Sequence, residues 1–108
     1  MGKSDFQQVF SENKKSADSL LVVLARPNGR SQSRLGLAIA KKYTASAVQR
    51  NRIKRLIRES FRQHLPFRVA IDTVVMNRAG IASKDNNQLF QSLHKHWNRI
   101  DDKLEQGA

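Results

Sequence analysis

The residues best suited to chemistry lie in one basic run, RNRIKRLIRESFR, from position 50 to position 62. Six of its thirteen positions are Arg or Lys, and only Glu59 is acidic. Most of these cations are Arg, whose planar guanidinium can donate two parallel hydrogen bonds to phosphate oxygens and can stack on bases. The residue types and their spacing therefore favour binding of a polyanion over the making or breaking of bonds.

The distribution of charge along the chain supports that interpretation. The formal net charge of the 108 residues is +11. Between Arg26 and Arg78 there are thirteen Lys or Arg residues and two acidic residues, whereas the flanks hold seven basic and seven acidic residues. The whole excess of positive charge lies in the middle of the chain, which is typical of a binding face and not of an evenly solvated surface.

Several other kinds of protein are disfavoured by what the sequence lacks. Without Cys there can be no disulfide framework and no thiolate metal site. No apolar run approaches the roughly 18 residues that span a bilayer, and MGKSDFQQVF lacks the apolar core of a signal peptide, so we expect a cytoplasmic protein with no membrane partner.

No catalytic and no metal-binding residue is predicted. The sequence offers no recognisable Ser-His-Asp set, no paired carboxylates at a useful spacing and no metal-ligand cluster. His94 and His96 are two positions apart on a predicted helix, so their side chains diverge and are poor joint ligands. We expect both to face solvent or RNA.

Hydrophobic periodicity predicts an α+β fold, with a small, mostly antiparallel sheet packed with helices. The order is α-β-β-α-β-α, with a possible extra short strand before Leu20, and residues 1–108 are expected to form a single RNA-binding domain. The predicted elements are a first helix with Ser4 as its N-cap, strands over 20–25, 34–40 and 73–77, and helices over 46–64 and from about 85 onward. We expect the first two strands to form an antiparallel hairpin closed by the turn residues of RPNGRSQS.

The helix over 46–64 must position the basic run. At 100° per residue a sector of roughly 140° is predicted to be buried, and it contains Ile53, Leu56, Ile57, Ser60 and Phe61. A solvated helix would mix both charge signs, a membrane-surface helix would expose more Trp, Phe and Leu, and a lone DNA-reading helix would need a second module. RNA recognition by a face of sheet and helix fits better.

The segment RLGLAIAKK, followed seven residues later by RNRIKRLIRESFR, resembles the signature of the bacterial ribonuclease P protein family. DFQQVF is similar to the first-helix motif of that family, and IDTVVMNRAG is similar to its last strand and following turn. The resemblance extends over about residues 5–97.

The resemblance implies the protein subunit of a ribozyme that removes the 5′ leader from precursor tRNA. The RNA subunit would carry the catalytic Mg²⁺, and the protein would bind ribonuclease P RNA and precursor tRNA, with no obligate protein partner evident. The fold implied is ribosomal protein S5 domain 2-like, with a left-handed crossover.

Two sets of residues acquire roles by this resemblance. The implied RNA-binding residues are Lys41, Lys42, Arg50, Asn51, Arg52, Lys54, Arg55, Arg58, Arg62 and Arg78. The implied cleft for the single-stranded leader has Phe6 and Phe10 as its aromatic positions and the exposed face of residues 20–25, with Val22 and Leu24, as its floor. Spacing alone leaves open whether the two Phe residues belong to the core or stack on nucleotides.

An alternative of another class is a general RNA-binding or ribosome-associated module with no processing role. Composition does not separate the two, because both need the same basic face. The RNR signature favours the ribozyme subunit.

Overall fold

The Val-rich runs of the chain form the two central strands of a four-stranded sheet, and its segments of helical periodicity form three α-helices, in a computed structural model that describes residues 1–106. The helices are α1 (Lys3–Ser11), α2 (Ala47–His64) and α3 (Asn86–Gln106), and the strands are β1 (Lys14–Ala17), β2 (Leu21–Pro27), β3 (Arg34–Ala38) and β4 (Ile71–Asn77). A short 3₁₀ helix (Ala79–Ser83) precedes α3. The predicted α+β fold is confirmed, and β1 is the extra short strand. Within the described residues no helix is long and apolar enough to cross a membrane.

The predicted hairpin of the second and third strands is wrong. The strand order is β1-β2-β4-β3, so β4 lies between β2 and β3. It pairs antiparallel with β2 and parallel with β3. Alternating apolar residues define a strand but not its neighbour, and β4, buried on both faces, is the strand suited to the centre. The parallel pairing requires a crossover, which α2 supplies. The left hand that the resemblance implies for it stays a prediction.

One face of the sheet carries the main core, formed with α2 and α3. The predicted buried face of α2 is confirmed residue by residue, from Ile53 to Phe61. The apolar stripe of α3 is buried from Leu89 to Leu104, and Trp97 in its middle is fully buried with its Nε1 donating to Ser60 Oγ at 2.9 Å. The indole N–H of α3 and the Ser60 hydroxyl of α2 therefore satisfy each other inside the core.

The other face of the sheet is covered by α1. Val9 is fully buried against Leu24 and Val74, which are partners on adjacent strands. The helix has Gly2 as its N-cap, not Ser4 as predicted, because the carboxylate of Asp5 reaches back and accepts the Gly2 N–H at 2.8 Å. Val22, Ala38 and Met76 on this face are only half-buried, so α1 leaves part of the face open.

His96 does not face solvent or RNA, so that prediction is wrong for His96, whereas His94 is exposed as expected. His96 lies three residues after Leu93 and four before Ile100, which puts it on the buried face of α3. Its Nδ1 lies 2.7 Å from Ser16 Oγ on β1, and its Nε2 lies 3.1 Å from Asp18 Oδ2. Burial lowers the pKa of His96 below its ordinary value, although Asp18 opposes the shift.

Stability should therefore decrease as the pH falls below about 6.5, the ordinary pKa of His. Below about pH 6.5 the unfolded chain takes up a proton at position 96, whereas buried His96 in the folded protein is protonated only at lower pH. The unfolded state therefore binds more protons below about pH 6.5, which stabilises it relative to the folded state, and this stabilisation is absent at higher pH. Urea unfolding followed by the fluorescence of the single Trp should give a lower midpoint at pH 5.5 than at pH 7.5. His96→Gln should reduce this difference, and an equal difference in both proteins would contradict the assignment.

Candidate nucleic-acid interface

The outer face of α2 presents a row of cations held at fixed spacing. Ser46 begins the helix, its Oγ accepting the Gln49 N–H at 3.3 Å, and burial of the opposite face fixes the rotation of the helix. Of the predicted RNA-binding residues on α2, Asn51, Arg55, Arg58 and Arg62 are exposed and Lys54 is half-buried. Because these positions have few partners inside the protein, their donors are available to an external anion.

A groove runs along the free edge of β3, next to this row. Lys54, Arg58 and Arg62, each one turn apart on α2, form its basic rim. Its apolar lining comes from Phe6 on α1, from Leu35 and Leu37 on β3, and from Phe61 and Leu65, around a volume of about 600 Å³. No Asp or Glu of residues 1–104 lines it. The groove thus joins the basic face of α2 to the side of α1 that carries Phe6.

Two arginines of the basic run are engaged within the protein itself. Arg50 donates from Nη1 to the carbonyls of Thr44 and Ala45 at 3.0 and 2.7 Å. Arg52 donates to Gln49 Oε1 at 2.7 Å, to Asn86 Oδ1 at 2.5 Å and to the carbonyl of Lys84 at 3.4 Å. Arg50 therefore holds the loop that enters α2, and Arg52 holds the start of α3, so each has fewer donors left for phosphate than the exposed arginines.

The remaining predicted cations lie at the end of the sheet where α2 begins. Lys41 and Lys42 are exposed in the turn after β3. Buried Asn77 fixes that turn, because it accepts from the Ala40 N–H at 2.8 Å and donates to the Ala40 carbonyl at 3.0 Å. Arg78 follows directly and donates to the carbonyl of Asp18 at 3.1 Å. The sequence predicted no role for Asn77, yet this residue holds the turn that carries the two lysines.

A half-open apolar cleft lies beside α1, which we call the α1 cleft. Helical spacing puts Phe6 and Phe10 on the side of α1 away from Asp5. Phe6 belongs to the same apolar cluster as the strand row Ala38, Met76 and Val22, which are partners on β3, β4 and β2 and are each half-buried. Phe10 is 48% exposed, which is far too open for a core residue. Of the two alternatives that spacing left open, the core reading fails for Phe10.

Leu24 does not contribute to the floor of this cleft, contrary to the prediction from resemblance. Only 6% of it is exposed, because α1 lies directly over it and Val9 packs on it. Val22, two residues earlier on the same face of β2, lies beyond the helix and stays half-open. Ala38 and Met76 complete the floor and were missed, since a sequence does not show which strands are neighbours.

The fold brings a Ser, a His and an Asp together that the sequence pattern did not indicate, but the Ser and the His are buried. Ser16, His96 and Asp18 lie within hydrogen-bonding distance of one another in turn, with Ser16 2% and His96 0% exposed. Burial works to raise the pKa of Asp18, but the Ser92 hydroxyl and the N–H groups of Leu21 and Leu20 outweigh it and keep that pKa below its usual value. A substrate cannot reach this network, which ties β1 to α3. Among residues 1–104 no cluster of three His, Asp or Glu could hold a metal ion.

Comparisons with known proteins agree with the geometry. The sequence model of the Ribonuclease P family matches residues 1–101. The chain is 48% identical over 93 residues to the ribonuclease P protein component of Methylococcus capsulatus, covering 86% of this chain and 73% of that relative. The structure is similar to the RNase P protein of Staphylococcus aureus, with a TM-score of 0.83 and 31% identity over 92% of this chain and 91% of that one. A solved mutant of the Staphylococcus aureus protein, described as defective in mRNA degradation activity, matches with the same TM-score and identity over 92% of this chain and 84% of that one.

The exposed and the engaged arginines of α2 should behave differently when removed. Arg55→Ala with Arg58→Ala should weaken binding to a structured RNA and reduce the log–log salt slope by roughly 1 to 2, with folding unchanged or slightly improved because like-charge repulsion falls. Arg52→Ala should cost about 1 kcal/mol of folding stability through its lost hydrogen bonds. Filter binding at several salt concentrations and thermal melts check both. Lost stability with an unchanged salt slope in the double variant would mean that Arg55 and Arg58 are structural.

Proposed function

We propose, since the chain belongs to the ribonuclease P protein family, that it is the protein subunit that binds ribonuclease P RNA and the 5′ leader of precursor tRNA. In this role it assists the endonucleolytic removal of the leader, which leaves the mature 5′ end. The outer face of α2 with the turn that carries Lys41 and Lys42 would bind the ribozyme RNA, and the α1 cleft would receive the leader.

The observation that carries the proposal is the presence of two adjoining surfaces of different chemistry. The cations of α2 suit the phosphates of a folded RNA, whose affinity is dominated by charge. The α1 cleft offers an exposed aromatic ring, Phe10, one helical turn after Phe6, which belongs to the apolar cluster of the floor. An exposed aromatic ring of this kind can stack on unpaired bases without reading their sequence. A subunit that touches both a ribozyme and a single-stranded leader needs both surfaces side by side.

The protein would supply position and charge, and the RNA subunit would supply the chemistry. The Mg²⁺ ions bound by the RNA would activate water and stabilise the transition state when present. The part of this chain would be to bring the cleavage site close by holding the leader, and to neutralise phosphates where two polyanions meet. This work takes place in the cytoplasm under the same proposal.

The direct test of the function is reconstitution. Adding this protein to a ribonuclease P RNA at low Mg²⁺ should restore cleavage of precursor tRNA, because cations of the protein take over part of the charge neutralisation. The alternative, a general RNA-binding or ribosome-associated module, predicts RNA binding without restored cleavage. A small basic protein of similar charge serves as the control for unspecific rescue.

The protein freed of all RNA should cleave no RNA. Its accessible residues offer no set that could activate water or stabilise a pentacovalent phosphate. Incubation with precursor tRNA and with an mRNA, each with Mg²⁺, checks this expectation. Specific cleavage that survives nuclease treatment of the preparation would contradict it, and cleavage of the mRNA alone would point to a second activity of the protein.

Phe10→Ala tests the cleft. If Phe10 stacks on a leader base, its loss should reduce the affinity of the reconstituted enzyme for precursor tRNA by roughly 1 to 3 kcal/mol and leave the affinity for mature tRNA unchanged, because mature tRNA has no leader. The melting temperature should hardly change, since the ring is half-exposed. Equal losses for both tRNAs with an intact melt would refute the cleft assignment and leave the role of α2 untouched.

A further inference from the structure

The helix α1 is tied to the sheet by charged contacts on one side only. Near its start, Asp5 Oδ1 lies 3.2 Å from Nη2 of Arg34 on β3. Near its end, Glu12 Oε2 lies 3.9 Å from Nη2 of Arg26 on β2. Both pairs lie on the side of α1 away from Phe6 and Phe10, so the charged contacts and the cleft occupy opposite sides of the same helix.

The two pairs differ greatly in quality. Arg34 is locked by a two-pronged contact with Asp72 on β4, from Nε to Oδ1 at 2.8 Å and from Nη2 to Oδ2 at 2.6 Å, and Asn28 donates to the same carboxylate at 3.0 Å. The guanidinium is thus oriented before it meets Asp5, and it lowers the pKa of Asp72 below its usual value. Glu12 is 81% exposed and its partner has no comparable support, so that contact should contribute little.

The strand β3 carries a second feature that fixes the helix. A Cβ on Gly36 would lie 2.6 Å from Phe6 Cζ, so the bare glycine is what lets the Phe6 ring lie on the strand. Because side chains alternate along a strand, Arg34, Gly36 and Ala38 share the face toward α1. Arg34 holds the start of the helix, Gly36 leaves room for the Phe6 ring, and Ala38 lies in the floor of the cleft.

We propose that Arg34 and Asp5 form a positioning pair, which sets the placement of α1 on the sheet and thereby the geometry of the α1 cleft. Asp72 orients Arg34, Arg34 holds Asp5, and Asp5 in turn accepts the N–H of Gly2 at the start of the helix. Neither member of the pair touches the ligand. The inference rests on the proposed leader cleft.

Two isosteric variants on the same helix, each of which removes one negative charge, isolate the effect. Asp5→Asn retains an oxygen that can accept the Gly2 N–H and leaves the Arg34–Asp72 pair intact, but removes the charge that holds the helix. Glu12→Gln makes the same change in net charge at the other end. In the reconstituted enzyme, Asp5→Asn should weaken precursor tRNA binding about threefold to tenfold and leave mature tRNA binding unchanged, while Glu12→Gln should change neither. The salt slope should not change, because no phosphate contact is lost.

The position of the helix can be measured without any RNA. The chain has no Cys, so Gln7→Cys on α1 and Asn98→Cys on α3, both at exposed positions, allow two spin labels to be attached specifically. The distance distribution between the labels should broaden or shift in the Asp5→Asn background and stay as in the wild type with Glu12→Gln. A circular dichroism melt accompanies each variant to show that the protein remains folded.

The outcomes separate this inference from the function on which it rests. An unchanged distance distribution in Asp5→Asn would show that the pair does not position the helix. A changed distribution with wild-type affinity for precursor tRNA, while Phe10→Ala still lowers that affinity, would show that the pair does not position the cleft. Equal changes in both charge variants would show that the effect is one of net charge, which also overturns the inference. If Phe10→Ala and Asp5→Asn both keep wild-type precursor affinity, the leader cleft itself is wrong and the positioning pair falls with it.

Discussion

The position of β4 at the centre of the sheet is the constraint on which the other features of the molecule depend. Its parallel pairing with β3 forces the chain to cross over through α2, which presents the cations along one side of the fold. Three residues of β4 then contribute to different surfaces. Asp72 orients Arg34, Met76 lies in the floor of the α1 cleft, and Asn77 fixes the turn with the two lysines. A strand buried on both faces thus organises every surface to which a function is attributed here.

The arginines of the chain illustrate how one residue type acquires different roles from its surroundings. Arg55 and Arg58 project from α2 into solvent, where an anion finds them free of partners in the structure. Arg52 has acceptors within reach on two other segments and binds them, and Arg34 has two carboxylates and joins them. Sequence can count such cations, but only the acceptors around each guanidinium decide whether it binds RNA or holds the protein together.

Features set by local periodicity could be predicted from the sequence, whereas features set by pairing could not. The buried face of α2 follows from its spacing alone, and it is correct at every position from Ile53 to Phe61. The hairpin prediction was wrong because alternation of apolar residues does not show which strands are neighbours. For the same reason Ala38 and Met76 were not predicted to lie in the floor of the cleft, and Leu24 was predicted to be exposed although it is buried. The prediction for His96 was wrong because a polar residue was assumed to face outward. In the structure the Ser16 hydroxyl and the Asp18 carboxylate lie beside its buried ring.

The separation of the two surfaces has a consequence for how the proposed subunit would work. A ribozyme and a precursor tRNA repel each other as polyanions, and under the proposal the cations of α2 would reduce that repulsion, which salt screens. Stacking in the α1 cleft depends on the apolar floor and on an aromatic ring, and salt affects it much less. Charge would therefore govern assembly of the ribonucleoprotein, while the cleft would distinguish precursor from product after assembly. Because a product without a leader would gain nothing from the cleft, this arrangement would favour its release.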